Sequence, residues 1–360
     1  MMKAPVVASL YLKLEQTIRE ALQLIDRNTC GIALIVDADQ RLLGTVTDGD
    51  IRRAILAGAD LHTPVSVLLE RKAGSLYAEP VTAPAGAGPD ELLHRMRERS
   101  VRQIPLLDEA RRVVGLATLD QLLPEHQGQL QAVIMAGGFG KRLLPLTEHT
   151  PKPMLLLGGR PLLEHTIDQL RAAGIHAVNI TTHYLAEKIV EHFGDGSEFG
   201  VRLNYVPEER PLGTAGALGL IERPSEPVLV INGDVLTRVD FRALLAYHRE
   251  HSADLTVAVR QYEMKVPYGV IEGDGPYVRQ IREKPDYRFL VNAGIYLLNP
   301  SVYAYIPAGE RFDMTDLIQA LLDDGRTVVS FPVVEYWLDI GQPADYERAE
   351  EDFRSGRIVS

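Results

Sequence analysis

A cluster of glycines near the middle of the chain, with an arginine and a lysine close behind it, has the composition of a phosphate-binding loop. Three glycines fall within residues 137–140, directly after the apolar run 132–135. Glycines let the backbone approach a ligand closely and direct its N–H groups at phosphate oxygens. Arg142 and Lys152 supply the positive charge that a triphosphate requires. The segment therefore predicts a phosphate site after a buried strand.

This loop differs from two common phosphate-binding fingerprints. No Gly-x-x-x-x-Gly-Lys-Ser/Thr string is present, and Leu143 stands three residues after Gly140 where Gly-x-Gly-x-x-Gly requires a glycine. The full string Ala-Gly-Gly-Phe-Gly-Lys-Arg-Leu-Leu-Pro-Leu-Thr at 136–147, followed by Pro-Lys-Pro-Met at 151–154, is more specific. It resembles the signature of the sugar-1-phosphate nucleotidyltransferases, which are also called nucleoside-diphosphate-sugar pyrophosphorylases.

The resemblance implies attack of a sugar-1-phosphate on the α-phosphate of a nucleoside triphosphate, giving a nucleoside-diphosphate-sugar and pyrophosphate. The nucleophile is already an anion near neutral pH, so the reaction needs positioning and charge neutralisation rather than a general base. Asp234 follows the apolar run 228–231, which predicts that its carboxylate lies at the edge of the sheet where ligands bind. Alternatively, Asp234 only caps a helix or turn after the strand. By resemblance, Asp234 and Asp339 match the family's metal-binding positions, which predicts Mg²⁺ as the cofactor.

The resemblance assigns roles to further residues. Arg142 matches the loop arginine that contacts the departing pyrophosphate, and Lys152 matches a lysine near the α-phosphate. With Asp234 they form the expected catalytic group. The expected nucleotide contacts are Ala136, Gly137, Gly138, Gly140, Glu208, Gly213 and Thr214. The expected sugar-phosphate contacts are Gly269, Glu283, Lys284 and Asn292.

Glu208 and Glu209 are candidates for selecting the base. A glutamate can accept the N1 and exocyclic amine protons of guanine, which uracil and thymine cannot offer together. We therefore expect GTP as the donor, with mannose-1-phosphate or a hexosamine-1-phosphate as the acceptor by analogy with related guanylyltransferases. Uridylyl or other nucleotidyl transfer stays open. A nucleotide sensor that keeps the pocket without turnover is the alternative from another class.

The elements that must position these residues alternate between strand and helix from residue 132 onward. This alternation implies an α/β fold with a doubly wound, mostly parallel, Rossmann-like sheet that binds ligands at the carboxyl ends of its strands. The apolar patterns predict strands at 132–135, 178–182, 228–231 and 255–259, helices at 185–193 and 241–250, and another strand opening at Asn292.

An internal repeat occupies the first third of the chain. The segment that begins at residue 21 aligns without a gap, for about thirty residues, with the segment 71 positions later. Each copy reads as helix, strand, turn, strand ending in threonine, and short helix. The string Gly-Thr-Val-Thr-Asp-Gly-Asp-Ile at 44–51 resembles the Gly-h-x-Thr-x-x-Asp motif of CBS domains, which usually occur in tandem and bind adenine nucleotides. The second copy departs from the motif because Gln121 replaces the aspartate.

The CBS resemblance implies a regulatory nucleotide site in the first copy. Thr47 would contact a phosphate and Asp50 a ribose diol of an adenine nucleotide. Asp50 could instead simply cap the helix that follows it. The pair could also serve only as a dimerisation module. We expect at most one well-formed nucleotide site per chain because of Gln121.

These patterns predict two domains, an α+β CBS pair at 1–126 and a nucleotidyltransferase domain at 127–360, joined in the polar stretch 124–129. The formal charge of −11 argues against a nucleic-acid partner. No apolar run reaches the length of a membrane span, and the start lacks a signal-peptide core. With a single cysteine, Cys30, these features predict a cytoplasmic protein, and the resemblance implies a homo-oligomer. Because only 21 residues follow Asp339, we expect no C-terminal hexapeptide β-helix and no acetyltransferase activity built on one.

Overall fold

The computed structural model describes residues 7–28, 30–75, 77–122 and 130–358. The chain divides into two units, residues 1–128 and 129–360. The stretch 124–129, where the sequence predicts the domain junction, lies outside the described residues. Among the helices of the described ranges, none is both long enough and apolar enough to cross a bilayer.

The N-terminal unit contains two copies of one α+β motif. Its helices are α1 (Ile18–Asn28), α2 (Asp48–Leu56), α3 (Ser66–Lys72), α4 (Pro89–Glu98) and α5 (Leu119–Leu122). Its strands are β1 (Tyr11–Leu12), β2 (Ile32–Val36), β3 (Leu42–Thr47), β4 (Ala83–Pro84), β5 (Gln103–Leu107) and β6 (Val113–Thr118). They form two three-stranded sheets, β1-β2-β3 and β4-β5-β6, each with one parallel and one antiparallel pairing.

The two copies are related by the 71-residue offset that the sequence shows. Their β-bulges fall at equivalent places, 35/36 and 106/107. Their turns also exchange equivalent backbone hydrogen bonds, from Leu42 N to Arg111 O and from Val113 N to Gln40 O, each 3.2 Å long. The predicted tandem repeat is confirmed.

The C-terminal unit alternates strands and helices. Its helices are α6 (Leu162–Ala172), α7 (Ala186–Phe193), α8 (Gly213–Gly216), α9 (Phe241–Glu250), α10 (Met314–Asp323) and α11 (Pro343–Arg354). Its strands are β7 (Gln131–Met135), β8 (Leu156–Leu157), β9 (Arg160–Pro161), β10 (Ala177–Thr182), β11 (Arg202–Pro207), β12 (Val228–Asn232), β13 (Val235–Thr237), β14 (Leu255–Lys265), β15 (Val270–Asp274), β16 (Tyr277–Arg282), β17 (Asp286–Leu298), β18 (Val328–Pro332) and β19 (Trp337–Asp339).

Seven of these strands form one sheet in the order β11-β10-β7-β12-β17-β14-β18. Every neighbouring pair is parallel except the two that involve β17, which is antiparallel to both β12 and β14. Apolar side chains of α6, α7 and α9 cover one face, and those of α8 and α10 cover the other. The doubly wound, mostly parallel α/β fold is confirmed.

Two strands are longer than the sequence predicts. β14 continues past Val259 to Lys265, and β17 begins at Asp286, so that Asn292 lies inside a strand rather than at its start. The added segments alternate polar and apolar residues instead of forming an apolar run, which is why the apolar pattern missed them. They pair with each other as a two-stranded extension of the sheet.

Candidate active site

The candidate site lies where the order of strands reverses in the sheet. β10 and β11 lie on one side of β7, whereas β12 lies on the other, so ligands are expected beside the carboxyl ends of β7 and β12. The loops that leave these two strands are in direct contact, because Gly233 N donates to Met135 O at 2.9 Å. A Cβ on Gly233 would lie 2.8 Å from that same oxygen, so the contact requires glycine.

Lys152 and Asp234 form an ion pair at this edge. The ammonium Nζ lies 2.5 Å from Asp234 Oδ2, and Lys152 is only 9% exposed. Pro151 and Pro153 flank the lysine in a short 3₁₀ turn, which restricts where its side chain can point. Gly140, with φ of +62°, packs against the Lys152 Cβ. The glycine loop and the lysine are therefore parts of one site.

Asp339 lies beside Asp234 through an antiparallel pairing of β13 with β19. Val235 is the register partner of Asp339, and Ile340 N donates to Asp234 O at 3.0 Å. Desolvation and the Asp234 carboxylate raise the pKa of Asp339, and the charges of Lys152 and Arg142 oppose that rise. Two carboxylates thus lie close enough to repel each other.

Arg142 reaches the same place from the glycine loop. Its guanidinium nitrogens lie 3.7 and 3.8 Å from the position that a Cβ of Gly341 would occupy. Gly341 follows the Asp339 segment, and its N–H donates to Asp345 Oδ2 at 3.1 Å. Arg142, Lys152, Asp234 and Asp339 come from four separate segments, and the fold brings them together.

The donor set fits a magnesium ion that is shared with a substrate phosphate. Within the described ranges, no three His, Cys, Asp or Glu side chains converge as a complete metal cage. The Asp234–Asp339 pair offers carboxylate oxygens whose mutual repulsion a divalent cation would relieve. Mg²⁺ usually takes one or two carboxylates and completes its shell with phosphate oxygens and water.

The predicted nucleotide loop packs closely against Glu208. A Cβ on Gly137 would lie 2.4 Å from Glu208 Oε1, whereas nothing lies within 4 Å of the corresponding position on Gly138. Glu208 is 8% exposed, and its Oε2 accepts a hydrogen bond from Leu212 N at 2.9 Å. Oε2 of Glu208 is therefore used within the protein, where it stabilises the loop that leads to Leu212. Glu209 is exposed to solvent.

Gly213 and Thr214 join their loop to the start of α10. Gly213 has φ of +79°, and a Cβ there would lie 2.5 Å from Asp313 Oδ1. Thr214 N donates to Asp313 Oδ1 at 3.1 Å, and the Thr214 hydroxyl accepts from Met314 N at 2.8 Å. Both residues have structural partners here, and their contact with a nucleotide stays a prediction.

The predicted sugar-phosphate residues fall in two places. A Cβ on Gly269 would lie 3.1 Å from Glu283 Oε2, so these two are neighbours. Lys284 has φ of +43°, a left-handed value that is uncommon for a non-glycine residue. Its side chain is 68% exposed and Glu283 is 71% exposed, so both can reach a ligand.

Asn292 lies closer to the carboxylates. Its Oδ1 accepts from Gly294 N at 2.9 Å, and its amide lies beside Tyr296, which is the register partner of Val230 in β12. Burial raises the pKa of Tyr296 to about 12, so its hydroxyl stays protonated. Nearby, Asn232 Oδ1 is buried without a hydrogen-bond partner among the described residues, which marks an acceptor free for a ligand or water.

The sequence reasoning missed an aromatic group beside the glycine loop. The ring of Phe139 packs edge-on against His183 at 5.2 Å and is tilted against Tyr184 at 5.6 Å, and Lys141 Nζ lies 5.3 Å from its centroid. His183 also hydrogen-bonds to Glu208 O at 2.7 Å. The presence of Phe139 in the glycine-rich string could have suggested an aromatic contact here, but the sequence does not indicate that His183 and Tyr184, which follow β10, are its partners.

In the N-terminal unit, Thr47 and Asp50 form a capping box at the start of α2. The Asp50 carboxylate accepts from Thr47 N and Oγ1, and it also pairs with Arg53 and Lys72. In the second copy Gln121 Oε1 accepts from Thr118 N, and Gln121 N donates to Thr118 Oγ1. The cap interpretation describes the geometry present here, and a nucleotide at these residues stays a prediction.

The fold and site define a doubly wound α/β protein with a glycine-rich loop, Lys152 and Asp234 at the switch point of its sheet. The chain belongs to the nucleotidyl transferase family, whose sequence model matches residues 131–356. The CBS domain model matches residues 1–57 and 75–126.

Named relatives agree with this assignment. The chain is 34% identical over 237 residues to a mannose-1-phosphate guanylyltransferase of Mycobacterium tuberculosis, covering 63% of this chain and 66% of the relative. It is 35% identical over 228 residues to a mannose-1-phosphate guanyltransferase of Schizosaccharomyces pombe, covering 60% and 62%. The chain thus spans less than two thirds of the length of these relatives.

Two solved structures resemble part of the chain. A protein of Bacillus anthracis, assigned as a glucose-1-phosphate thymidylyltransferase, matches with a TM-score of 0.51 and 27% identity over 64% of this chain and 96% of its own. The HddC protein of Yersinia pseudotuberculosis matches with a TM-score of 0.50 and 27% identity over 62% and 99%.

Proposed function

We propose that the protein is a sugar-1-phosphate nucleotidyltransferase that transfers a nucleoside monophosphate from a nucleoside triphosphate to a sugar-1-phosphate. The observation that carries this proposal is the Lys152–Asp234 ion pair at the sheet switch point, with Asp339 and Arg142 beside it. A reaction between two phosphate anions needs this combination of positive side chains and paired carboxylates.

Each residue then has a separable role. Lys152, held by two prolines, would neutralise charge that develops around the α-phosphate, and Arg142 would hold oxygens of the departing pyrophosphate through its planar fork. Asp234 and Asp339 would hold Mg²⁺, which supplies positive charge shared between the phosphates. The sugar phosphate attacks as an anion, and Lys284 and Asn292 would orient it.

The donor is proposed to be GTP and the acceptor mannose-1-phosphate or a hexosamine-1-phosphate. The relatives at 34% and 35% identity are named for guanylyl transfer to mannose-1-phosphate, which supports this pairing. Either Glu209, which is exposed, or the free Oε1 of Glu208 would accept protons of guanine. Glu208→Gln and Glu209→Gln both leaving the preference for guanine over uracil unchanged would remove this assignment.

The N-terminal unit is proposed to be a regulatory CBS pair over residues 1–126 that takes one adenine nucleotide near Thr47 and Asp50. The catalytic domain would then span 127–360. The match of the CBS model to both copies supports a paired module. The lysine and arginine around Asp50 provide charge for a phosphate.

Pyrophosphate release tests the proposed reaction. The full chain with Mg²⁺ is assayed against four nucleoside triphosphates combined with several sugar-1-phosphates. We expect turnover with GTP and mannose-1-phosphate or a hexosamine-1-phosphate. Asp234→Asn should reduce it by about 10²–10³-fold, while Asp323→Asn, which neutralises an exposed aspartate at the end of α10, should leave it unchanged. Nucleotide binding without turnover for any pair would favour the sensor instead.

A further inference from the structure

A small apolar cluster connects the four segments that carry the proposed active-site residues. It is separate from the two larger clusters that cover the faces of the seven-stranded sheet. Arg142, Lys152, Asp234 and Asp339 each have a member of this cluster within three positions along the chain. We call it the basal cluster, and its buried members are Leu143, Leu155, Leu157, Leu162, Leu236, Leu338, Ile340, Ala349 and Ile358.

The C-terminal helix α11 contributes Ala349 to the basal cluster and contacts the chain on both sides of β19. Asp345 and Asp352 are seven residues apart, so they lie on one face of the helix with Ala349 between them. In the first turn, Asp345 Oδ2 accepts from Gly341 N at 3.1 Å. Two turns later, Asp352 Oδ2 accepts from Tyr336 Oη at 3.0 Å. One helix therefore fixes the chain just before β19 and just after it.

The alternation of side chains around β19 directs Asp339 away from the basal cluster. Leu338 and Ile340 are 6% and 0% exposed and belong to the cluster, whereas Asp339 between them does not. Alternate residues of an extended chain point to opposite faces. The contacts of α11 at the two ends of the segment 336–341 therefore restrict the position of the Asp339 carboxylate without touching it.

Asp352 is a buried carboxylate with several partners. It is 3% exposed, its Oδ1 lies 2.9 Å from Arg357 Nη1, and its Oδ2 lies 3.8 Å from Arg348 Nε and accepts the Tyr336 hydroxyl. Burying an ion pair is costly, and well-packed apolar side chains in its place are often as stable or more so. α11 already packs on the basal cluster through apolar residues such as Phe353. A carboxylate that accepts one particular hydroxyl adds specificity, because it favours a single position of the helix against the chain before β19.

A neighbouring face of α11 contacts the hairpin β8–β9, which follows Lys152. The Tyr346 hydroxyl donates to Leu156 O. A Cβ on Gly158, which has φ of +59°, would lie 2.0 Å from the ring of Phe353, so this packing requires glycine. The helix therefore links the chain around β19 to the segment that carries the lysine.

We propose that Tyr336 and Asp352 are positioning residues, through which α11 places the Asp339 carboxylate beside Asp234 and so raises the affinity of this pair for a divalent cation. The inference rests on the proposed Mg²⁺ site and adds two residues that act on it from a distance. Two carboxylates repel each other, so their segments need a restraint that keeps them close. β13 and β19 pair over only three residues, and the contacts of α11 at both ends of β19 supply further restraint.

Binding of Mn²⁺ in the absence of turnover tests this proposal. Mn²⁺ takes the same oxygen ligands as Mg²⁺ and quenches the fluorescence of a tryptophan close to it. Trp337, the only tryptophan of the chain, is two residues from Asp339. The full chain is titrated with Mn²⁺ in the presence of each of the four nucleoside triphosphates, without a sugar-1-phosphate. For the parent we expect saturable quenching with at least one of them.

Tyr336→Phe removes only the hydroxyl that links α11 to the chain before β19. Its matched control is Tyr305→Phe, because the Tyr305 hydroxyl also donates to an aspartate, Asp324. Tyr305 follows β17, whose last residue pairs with the first residue of β12, so it lies at the edge of the sheet opposite the site. We expect the Mn²⁺ concentration for half-maximal quenching to rise roughly tenfold in Tyr336→Phe, as loss of support around metal ligands typically does. Tyr305→Phe should keep the parent value.

A second pair of variants tests the carboxylate. Asp352→Asn removes the charge of Asp352, and Asp254→Asn does the same to an aspartate that pairs with Arg326 at 2.8 Å. Asp254 precedes β14, which runs in the same direction as β12, so it also lies at the edge opposite the site. Both variants should unfold at lower urea concentration than the parent, because each loses a charged hydrogen bond. Only Asp352→Asn should require more Mn²⁺, and circular dichroism checks that every variant is folded.

The outcomes distinguish this inference from the proposed function. Parent-like Mn²⁺ binding in both Tyr336→Phe and Asp352→Asn would overturn the inference, even in a chain that releases pyrophosphate. An equal shift in Tyr305→Phe or Asp254→Asn would overturn it as well, because general loss of stability would then explain the effect. A parent that Mn²⁺ does not quench would contradict both the inference and the proposed metal site. The expected shifts in a chain that turns over no substrate pair would support the inference and remove the proposed reaction.

Discussion

Two adjacent glycines in the 136–140 loop have different surroundings. Substituting each of them can therefore distinguish an effect on stability from an effect on nucleotide binding. Gly137 faces Glu208 Oε1, whereas the space around Gly138 is open. We expect Gly138→Ala to leave the melting temperature unchanged and to raise the KM for the nucleoside triphosphate roughly tenfold, since the open space is where phosphate would approach the backbone. Gly137→Ala should lower the melting temperature as well. Thermal melts and steady-state kinetics on both variants check this, and an unchanged KM for Gly138→Ala would remove phosphate from that position.

Asp50 gives the N-terminal unit a predictable dependence on pH. Burial raises the pKa of Asp50. Lys72, the Thr47 hydrogen bonds and Arg53 together lower it by more than burial raises it, so the pKa lies below the ordinary 3.8. A lowered pKa means that the carboxylate stabilises the fold above that value, and that this stability is lost as pH falls through the native pKa. Asp50→Asn should therefore cost about 1–3 kcal/mol at neutral pH, and the difference from the parent should shrink below about pH 4.

Circular dichroism and tryptophan fluorescence can locate this effect, because Trp337 is the only tryptophan and lies in the C-terminal unit. In Asp50→Asn the dichroism transition should begin at lower urea concentration while the fluorescence transition stays in place. Asp26→Asn, an exposed change on α1, serves as the control. A constant difference between Asp50→Asn and the parent from neutral pH to pH 3 would contradict the assignment.

Among single residues, the sequence was most informative where a motif places charge on a short, stiff segment. The two prolines restrict where Lys152 can point, and its ammonium lies beside the Asp234 carboxylate. The hydrogen-bond partners of Glu208 and Thr214 within the protein could not be predicted from the sequence. Their hydrogen bonds to Leu212 and Met314 depend on how loops from distant parts of the chain meet, and local pattern does not encode that.

Among the elements, β19 is held in place by a bond that the sequence does not reveal. The indole Nε1 of Trp337 donates to Ala293 O at 2.8 Å, which links the strand of Asp339 to the strand of Asn292. Trp337→Phe keeps the ring and removes this donor. We expect the Mg²⁺ concentration for half-maximal activity to rise roughly tenfold, as loss of supporting contacts around metal ligands typically does.

Thr237→Val is a suitable control for Trp337→Phe. It removes the hydrogen bond from the Thr237 hydroxyl to Tyr336 O and the one that this hydroxyl accepts from Val239 N, each 3.2 Å long, and neither of them reaches β17. Activity is measured against Mg²⁺ concentration for both variants. Equal Mg²⁺ dependence in the two would show that the link to β17 does not position Asp339.

Element type followed from the apolar pattern, whereas strand direction and full strand length did not. The helix predicted at 241–250 matches α9 from end to end. The antiparallel direction of β17 depends on the hairpin β15–β16 that returns the chain, and that hairpin mixes apolar residues with charged residues and glycine instead of forming an apolar run. Fully buried strands have recognisable apolar runs, but a ribbon exposed on both faces does not.

At the scale of the whole molecule, the two CBS copies provide their own internal control for regulation. Asp50 and Gln121 occupy equivalent positions, 71 residues apart, and each caps a short helix with its preceding threonine. If an adenine nucleotide binds the first copy through its ribose, Asp50→Asn should weaken binding by roughly tenfold, since a neutral amide accepts the ribose hydroxyls less strongly than a carboxylate. Gln121→Ala should bind like the parent.

Calorimetric titration of ATP, ADP and AMP into the full chain measures this, and pyrophosphate release is followed in the same samples. Because Asp50 lies in the unit that does not contain Asp234, binding at the catalytic site should be unchanged in Asp50→Asn. An adenine nucleotide that regulates the enzyme would then change the rate of pyrophosphate release by the parent and by Gln121→Ala. The same change in Asp50→Asn would require a higher nucleotide concentration. Identical titrations for all three chains would show that neither Asp50 nor Gln121 contacts a bound nucleotide. The CBS pair would then be a structural module.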